Sequence, residues 1–409
     1  MAYLAAGGAS ATDVRLTGFG TLGFAAVDKD LRYLRHIDES GTFKADSLFG
    51  AQLEANVNPR WSATLQAVAS PDRTRDEGYE AKIRWAFVSF RPTNDWLLRA
   101  GRLRPPVLFN TQNSEVGVTY DEARLPVEVY SLSPVYDIDG AAVTKSWLLG
   151  DREISLDAYW GKTKLGFRPP FQRHPDQTLF PEDYFPERVT LKGLVLTHSG
   201  GPLTLRAGLH HALLKPGPDR QFVESFSPTQ IPAPPPFGGP LYVPNRLIDR
   251  IEVGVLTLGA DWRSGPWRLT SEYGQRMVND SRLGVDSKAI YVTGARRVGN
   301  WTPYLTYARL LSGSDTRSLY GELNATPVPL AAQAPPFSLP AHYHRILADQ
   351  VWVYDQYSTM VGASYSFSAT SKLKLEWMRT HVGLASALVD GDVHNQHFNL
   401  YSVSYSVAF

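Results

Sequence analysis

The chain has 409 residues, with 41 Lys and Arg against 40 Asp and Glu, a formal net charge of +1, and no cysteine. Near-neutrality argues against a general nucleic-acid binder, and the lack of cysteine removes disulfide and thiolate chemistry. No stretch approaches the roughly 18 apolar residues that a membrane-crossing helix needs, whereas 20 Tyr, 18 Phe, 10 Trp, 33 Gly and 29 Pro suit many short strands joined by many turns.

The opening residues, MAYLAAGGASATDV, hold a small-residue ASA before Thr12 but lack a basic segment and a full apolar core. Residues 1–11 therefore read as a signal-peptide remnant or a disordered tail, and 12–409 as one domain. From Asp13 to Ala26, Leu16, Gly18, Gly20, Leu22 and Phe24 share one face, with Arg15, Thr17 and Thr21 on the other. Phe49, Ala51, Leu53, Ala55 and Val57 then alternate with Gln52, Glu54 and Asn56, and Asn58-Pro59 turns the chain. Trp61, Ala63, Leu65, Ala67 and Ala69 return against Ser62, Thr64 and Gln66. A period of two is the signature of a strand with one apolar and one wet face.

The next hairpin sets Ile83, Trp85 and Phe87 opposite Lys82 and Arg84, then Trp96, Leu98 and Ala100 opposite Arg99. After Arg102 and Arg104 the chain makes a long excursion, 105–137. Strands are predicted again at Asp139 to Leu149, Ile154 to Trp160, Val189 to His198 and Leu203 to Leu213. Further strands follow at Ile251 to Trp262, Trp267 to Val278, Lys288 to Val298 and Trp301 to Leu311. Val361 to Phe367 and Leu373 to Trp377 lead to the closing stretch QHFNLYSVSYSVAF, in which Tyr401, Val403, Tyr405, Val407 and Phe409 alternate with Ser402, Ser404, Ser406 and Ala408. The connections alternate between minimal turns and loops that are often much longer, and Trp61, Trp96, Trp147, Trp262, Trp267 and Trp301 all lie beside the minimal turns. An interfacial aromatic girdle at one end of a barrel has this distribution.

In its strand number, its closing SYSVAF and the long insertion after the fifth strand, the chain resembles a Gram-negative outer-membrane porin over nearly its whole length. The loop text VGVTYDEARLPVEVYS and the preceding GRLRPP resemble, at a weaker level, the anion-handling and dicarboxylate-type porins; no PEFGG-like tip is present. The fold expected is all-β, an antiparallel transmembrane β-barrel of about sixteen strands with short periplasmic turns and long external loops. Eighteen strands stay open, because 215–246 or 312–349 could hold a further hairpin. The resemblance implies that 105–137 folds inward as a constriction loop facing a basic wall. It also implies a homotrimer, an integral place in the outer membrane among lipid and lipopolysaccharide, and recognition of Phe409 by the barrel assembly machinery.

A pore filters by width and by the field of its charges. Lumen-side cations are read at Arg15, Lys82, Arg84, Arg99, Lys192, Arg206, Arg268, Arg276 and Lys374, against Glu54, Glu153, Asp157, Glu252, Glu272 and Glu376. Lys82, Arg84 and Arg99, with Arg102 and Arg104 at the end, form the candidate basic wall. Strict alternation from Trp96 sends Arg102 outward unless a bulge shifts the phase. The loop supplies the opposing acids Glu115, Asp121, Glu122 and Glu128. Gly18, Gly20, Ala51, Ala55, Ala63, Ala67 and Ala69 make a small-residue sector suited to a subunit contact. His342 with His344 and His210 with His211 lack the carboxylate or thiolate of a metal site, and no cofactor is expected. The function read is passive diffusion of small polar solutes with mild anion preference. The alternatives are a selective channel for phosphate or organic acids and, more distantly, a barrel enzyme, for which Ser199 beside His198 is considered, or an adhesin.

Overall fold

A computed structural model describes residues 13–71, 78–167, 185–218, 220–284 and 286–409. All sixteen alternating segments form strands of one closed antiparallel barrel. They are β1 (Asp13–Val27), β2 (Leu48–Asn58), β3 (Trp61–Pro71), β4 (Tyr79–Phe90), β5 (Trp96–Leu103), β6 (Ile138–Leu149), β7 (Arg152–Phe167) and β8 (Phe185–Gly200). The second half is β9 (Leu203–Pro216), β10 (Ile251–Ser264), β11 (Trp267–Val278), β12 (Ser287–Arg296), β13 (Trp301–Ser312), β14 (Tyr354–Ser368), β15 (Ser371–Ser386) and β16 (Gln396–Ala408). Each pairs with its neighbour in sequence, and β16 returns to β1 from Phe19 opposite Ala408 to Val27 opposite Leu400. The ladder ends on a mutual pair: Gly18 N–H donates to Phe409 O at 2.7 Å and Phe409 N–H to Gly18 O at 2.9 Å. The expected N-terminal tail and most of the loop before Arg188 lie outside the described residues.

Leu16, Leu53, Leu65, Leu209, Leu305 and Leu375 stand exposed on the outside of this wall, while Gln66, Thr257, Thr270, Thr306, Ser404 and Ser406 are buried on the inside. Alternation has thus sorted the strands into an apolar outer band and a polar lumen. The short connections, at 59–60, 91–95, 150–151, 201–202, 265–266, 297–300 and 369–370, all lie at one end. The six girdle tryptophans are exposed there. Among the described residues no helix is long and apolar enough to cross a membrane.

The segment 217–250 does contain a hairpin, Phe226–Ile231 with Gly239–Pro244, but it forms a separate two-stranded sheet at the loop end and adds no strand to the wall. The long β13–β14 connection is helical, at Ser314–Ala325, Leu330–Gln333 and Tyr343–Ala348. Sixteen strands is therefore the number.

Three faces differ from the sequence reading. In β4 the register slips between Gln66 opposite Trp85 and Ala67 opposite Ile83, so Arg84 is an extra residue. The bulge reverses the phase beyond it: Phe87 packs inside against lumen residues and Val88 is exposed outside. Lys192 shares the outward face of Leu194 and Leu196 and is exposed, instead of facing the lumen. Glu252 is likewise outward, opposite Leu213 and 3.5 Å from His211. Glu252 sits near the loop end of its strand, and Lys192, midway along the longer β8, is level with His211 and Gly254, so a charge on the outer face there reaches water.

Gly18 leaves room for the terminal ring: a Cβ built there lies 2.5 Å from Phe409 Cε2 and Cζ. Gly18→Val should displace that ring and destabilise the barrel by roughly 1–3 kcal/mol, read as a lower unfolding midpoint and a smaller heat-shifted fraction on gels.

Candidate channel constriction

The insertion between β5 and β6 turns into the lumen and crosses to the far wall. Its first turn is bonded to β9–β11: Arg206 Nη1 donates to Leu108 O at 3.0 Å, Thr257 Oγ1 to Val107 O at 3.1 Å, and Phe109 N–H to Glu272 Oε1 at 2.6 Å. Glycines open the lumen for it, since a Cβ at Gly259 would lie 2.6 Å from the Phe109 ring and one at Gly274 2.4 Å from Leu132 Cδ1. Farther along, Tyr304 Oη accepts Ala123 N–H at 3.1 Å and Lys374 Nζ donates to Glu122 O at 2.8 Å. The short helix α1 (Val127–Tyr130) ends the crossing, with Tyr130 Oη donating to Glu272 Oε2 at 2.8 Å.

The four acids expected to face the aperture are instead bonding groups. Glu115 lies between two guanidiniums, with Arg104 Nη2 at 2.5 Å and Arg84 Nε at 3.2 Å, and all three residues are buried. Asp121 accepts from Lys372 Nζ at 2.8 Å and Ser364 Oγ at 2.7 Å on the far wall. Glu122 is buried, its Oε2 accepting the N–H of Asp121 at 3.2 Å. Glu128 on α1 is fully buried; its Oε1 accepts from Gln356 Nε2 at 2.9 Å and from Ser358 Oγ, both on β14. Burial raises its carboxyl above the ordinary range, and the bonds from Ser358 and Gln356 oppose that rise. A carboxylate moved out of water needs such partners, so acids pressed against a wall become anchors and do not remain free charges.

The five expected wall cations separate into three groups. Arg84 and Arg104 join Glu115, and both guanidiniums lie over the Tyr136 ring, 5.6 and 5.8 Å from its centroid. Lys82 lines the open space, 2.5 Å from Glu80, and Arg99 lies in the lumen, 3.2 Å from Thr144 Oγ1 and 3.6 Å from Asp157. Arg102 keeps the face of Trp96, Leu98 and Ala100 and grips Asp139 at 2.8 and 2.9 Å and Ile83 O at 3.2 Å. The reason is local: β5 pairs with β4 only over Ala86–Phe90, so 79–85 lacks a neighbour there and Arg102 bonds into the gap. Sequence reasoning missed Lys372 and Asp46, and it read Arg124 only as the lone cation of the loop, without a partner. Arg124 Nε donates to Asp46 Oδ1 at 3.0 Å, tying the loop to the approach to β2.

Beside the loop lies a cavity of about 1060 Å³, bounded by Thr21, Leu48, Lys82, Arg84, Tyr120, Tyr136 and Ser406 among others. Ten Lys and Arg residues border it against six Asp and Glu, but Arg102, Lys162, Lys164 and Arg188, with Asp139, belong to the outer face beside the gap at β4 and not to the lumen.

No protein-family model and no curated protein matches the sequence. Solved structures do match along its length. OmpT of Vibrio cholerae, an outer-membrane protein, superposes with a TM-score of 0.55 at 12% identity, covering 98% of each chain. The outer membrane channel DcaP of Acinetobacter baumannii gives 0.53 at 13% identity, with 97% of each chain covered. An anion-selective porin from Comamonas acidovorans gives 0.52 at 13%, covering 97% of this chain and all 100% of that one. The chain has the sixteen-stranded porin fold. Within that fold the inserted segment after β5 is the feature that narrows the lumen, and the Glu115 clamp holds its root.

Glu115→Gln should remove the carboxylate that lies between two buried guanidiniums and leave Asp137 as their neighbouring acid. The expected outcome is a loss of about 3–5 kcal/mol in stability together with a zero-current potential shifted toward anions, measured by thermal melting and by bilayer recording.

Proposed function

We propose that the protein is an outer-membrane porin that passes small hydrophilic solutes by passive diffusion with a mild preference for anions. The observation that carries the preference is the pair Arg276 and Lys374, lumen-facing cations on the cavity that donate to Ser287 Oγ and to the Glu122 carbonyl and not to a carboxylate, because a low-dielectric constriction amplifies the sign of its lining. A selective channel for phosphate or organic acids is the second reading. It is favoured by Lys82 and Arg84 standing along one side of the cavity and by the likeness to an anion-selective porin. The enzyme reading lacks the pair considered for it: Ser199 and His198 are neighbours on β8, so their side chains point to opposite faces beside the 201–202 turn.

The same proposal makes the protein a homotrimer through β1–β3. Ala51, Ala55, Ala63, Ala67 and Ala69 give that sector a low outer surface, although Gly18 and Gly20 lie under the rings of Phe409 and Phe49 and do not form part of it. The unpaired edge of β4 at 79–85, with Arg102 and Asp139 beside it, is a polar interruption that a protein neighbour covers better than lipid does. The terminal Phe409, largely exposed, is the group proposed for the assembly machinery.

Two measurements test these readings. In a planar bilayer under a salt gradient the wild type should give an anion-selective reversal potential, and Lys82→Glu should move it toward cations; cation selectivity of the wild type would reject the anion preference, and absence of conductance would reject the porin. Because the chain has no native cysteine, Ala63→Cys should cross-link to dimers on mild oxidation of the folded protein, whereas a cysteine at Leu305 on the opposite wall should not.

A further inference from the structure

Beyond the barrel, two of the long loops share a core. The hairpin Phe226–Ile231 with Gly239–Pro244 sends Phe226 and Tyr242 against Leu319, Tyr320, Leu323, Leu347 and Ala348 of the helical β13–β14 connection, all of them buried. The two loops also meet where Leu330 N–H and Ala331 N–H donate to Pro236 O and Phe237 O, each at 3.0 Å. The shared core reaches the channel: Val351 and Val353 belong to it, while Trp352 between them and Tyr354 after them line the cavity.

His344 sits at the seam and is 2% exposed. Its Nε2 accepts the main-chain N–H of Tyr242 at 2.9 Å, and its Nδ1 lies 2.8 Å from Thr326 O. A main-chain N–H can only donate and a carbonyl can only accept, so the ring is the neutral tautomer with its proton on Nδ1. A second proton has to go to Nε2. There it meets the Tyr242 N–H, donor against donor, so the bond between the loops is lost and a buried main-chain N–H is left without an acceptor. Residues 225–245 carry no charge, so the hairpin offers no acid to hold an imidazolium. On the helices, Glu322 accepts the Tyr242 hydroxyl at 3.2 Å, and Arg345 is bonded to Asn324 at 2.7 Å and lies 3.5 Å from Asp349. Tyr320 and Tyr343 stay neutral, burial raising both, and His342 stands at the start of the same helix. Burial holds His344 below the ordinary histidine value of 6.5, and the bond to Thr326 O opposes that shift. The ring is thus harder to protonate in the closed cap than in a released one, so closure is fully favoured above about pH 6.5 and loses ground as the pH falls below it.

We propose that the bond from Tyr242 to His344 is an acid-released latch, which joins the hairpin to the helices at neutral pH and lets it go in acid, displacing Trp352 and Tyr354 at the cavity. The latch stands on the fold; its effect on current rests on the porin reading.

Because the chain has no native cysteine, spin labels can be placed at Gln230→Cys on the hairpin and Ala325→Cys at a helix end, both exposed. Their separation is measured by pulsed dipolar spectroscopy on the full-length protein folded in detergent. At neutral pH one short separation is expected. Below about pH 6.5 a longer population should appear, each pH unit shifting the ratio by up to about tenfold. His344→Gln offers an amide oxygen to Tyr242 N–H and an amide N–H to Thr326 O without titrating, so it should keep the short separation down to about pH 4.5. His344→Ala should show the longer population already at neutral pH, and heat-shifted mobility on gels confirms that the barrel of each variant is intact. A wild type unchanged throughout that range overturns the proposal. So does a His344→Gln variant that responds to acid as wild type does, because another group then titrates, and so does a His344→Ala variant that stays closed. Conductance separates the two readings: a wild type that conducts while its hairpin stays fixed rejects the latch alone, and one that releases the hairpin without conducting rejects the porin alone.

Discussion

A wall that meets lipid must satisfy every main-chain N–H and C=O from within the protein. The rest of this structure depends on that requirement. It disfavours leaving the first and last strands as edges, so β16 returns to β1 through the reciprocal pair of Gly18 and Phe409, and where 79–85 lacks its β5 neighbour Arg102 bonds Ile83 O. It confines irregular chain to the two ends of the barrel or to its interior. The inserted loop is tolerated because it lies inside, where Arg206, Thr257, Tyr304 and Lys374 bond its main chain.

Electrostatics then decides what the interior can be. Charges of opposite sign near each other in a lumen either face one another through water or collapse into pairs. Here burial favours pairing: Glu115 with Arg84 and Arg104, Asp121 with Lys372, Arg124 with Asp46. What remains to act on solutes is the set of side chains left along the cavity, above all Lys82 with its partner Glu80. Selectivity is thus a property of the residue of charge after anchoring, which neither the chain total nor the strand inventory discloses.

The barrel was legible in the sequence because each crossing repeats one rule, so sixteen separate stretches testify to the same period. Single-residue departures from that rule were not. The extra residue at Arg84 leaves no mark in composition, yet it turns Trp85 and Phe87 from the lipid side to the lumen. Lys192 and Glu252 misled because polar residues near a rim occur on either face. The placement of Arg102 outside followed from alternation itself, and its bond to Ile83 O explains why the charge is tolerated there. The acids of the loop were recognisable as a group, but the partners of Asp121 and Glu128 lie on β14 and β15, and no local pattern links positions so far apart.

That remoteness fixes an order of events in time. The far-wall anchors of the loop, Glu272, Tyr304, Gln356, Ser358, Lys372 and Lys374, all follow it in the chain, whereas Asp46 and Arg84 precede it, and the bond from Lys374 to Glu122 spans 252 residues. Contacts of such long range form late, after the intervening chain has been drawn together. The loop therefore settles only once the far wall exists to receive it. The final geometry of the passage is in this sense written by the second half of the chain, although the segment that narrows it belongs to the first.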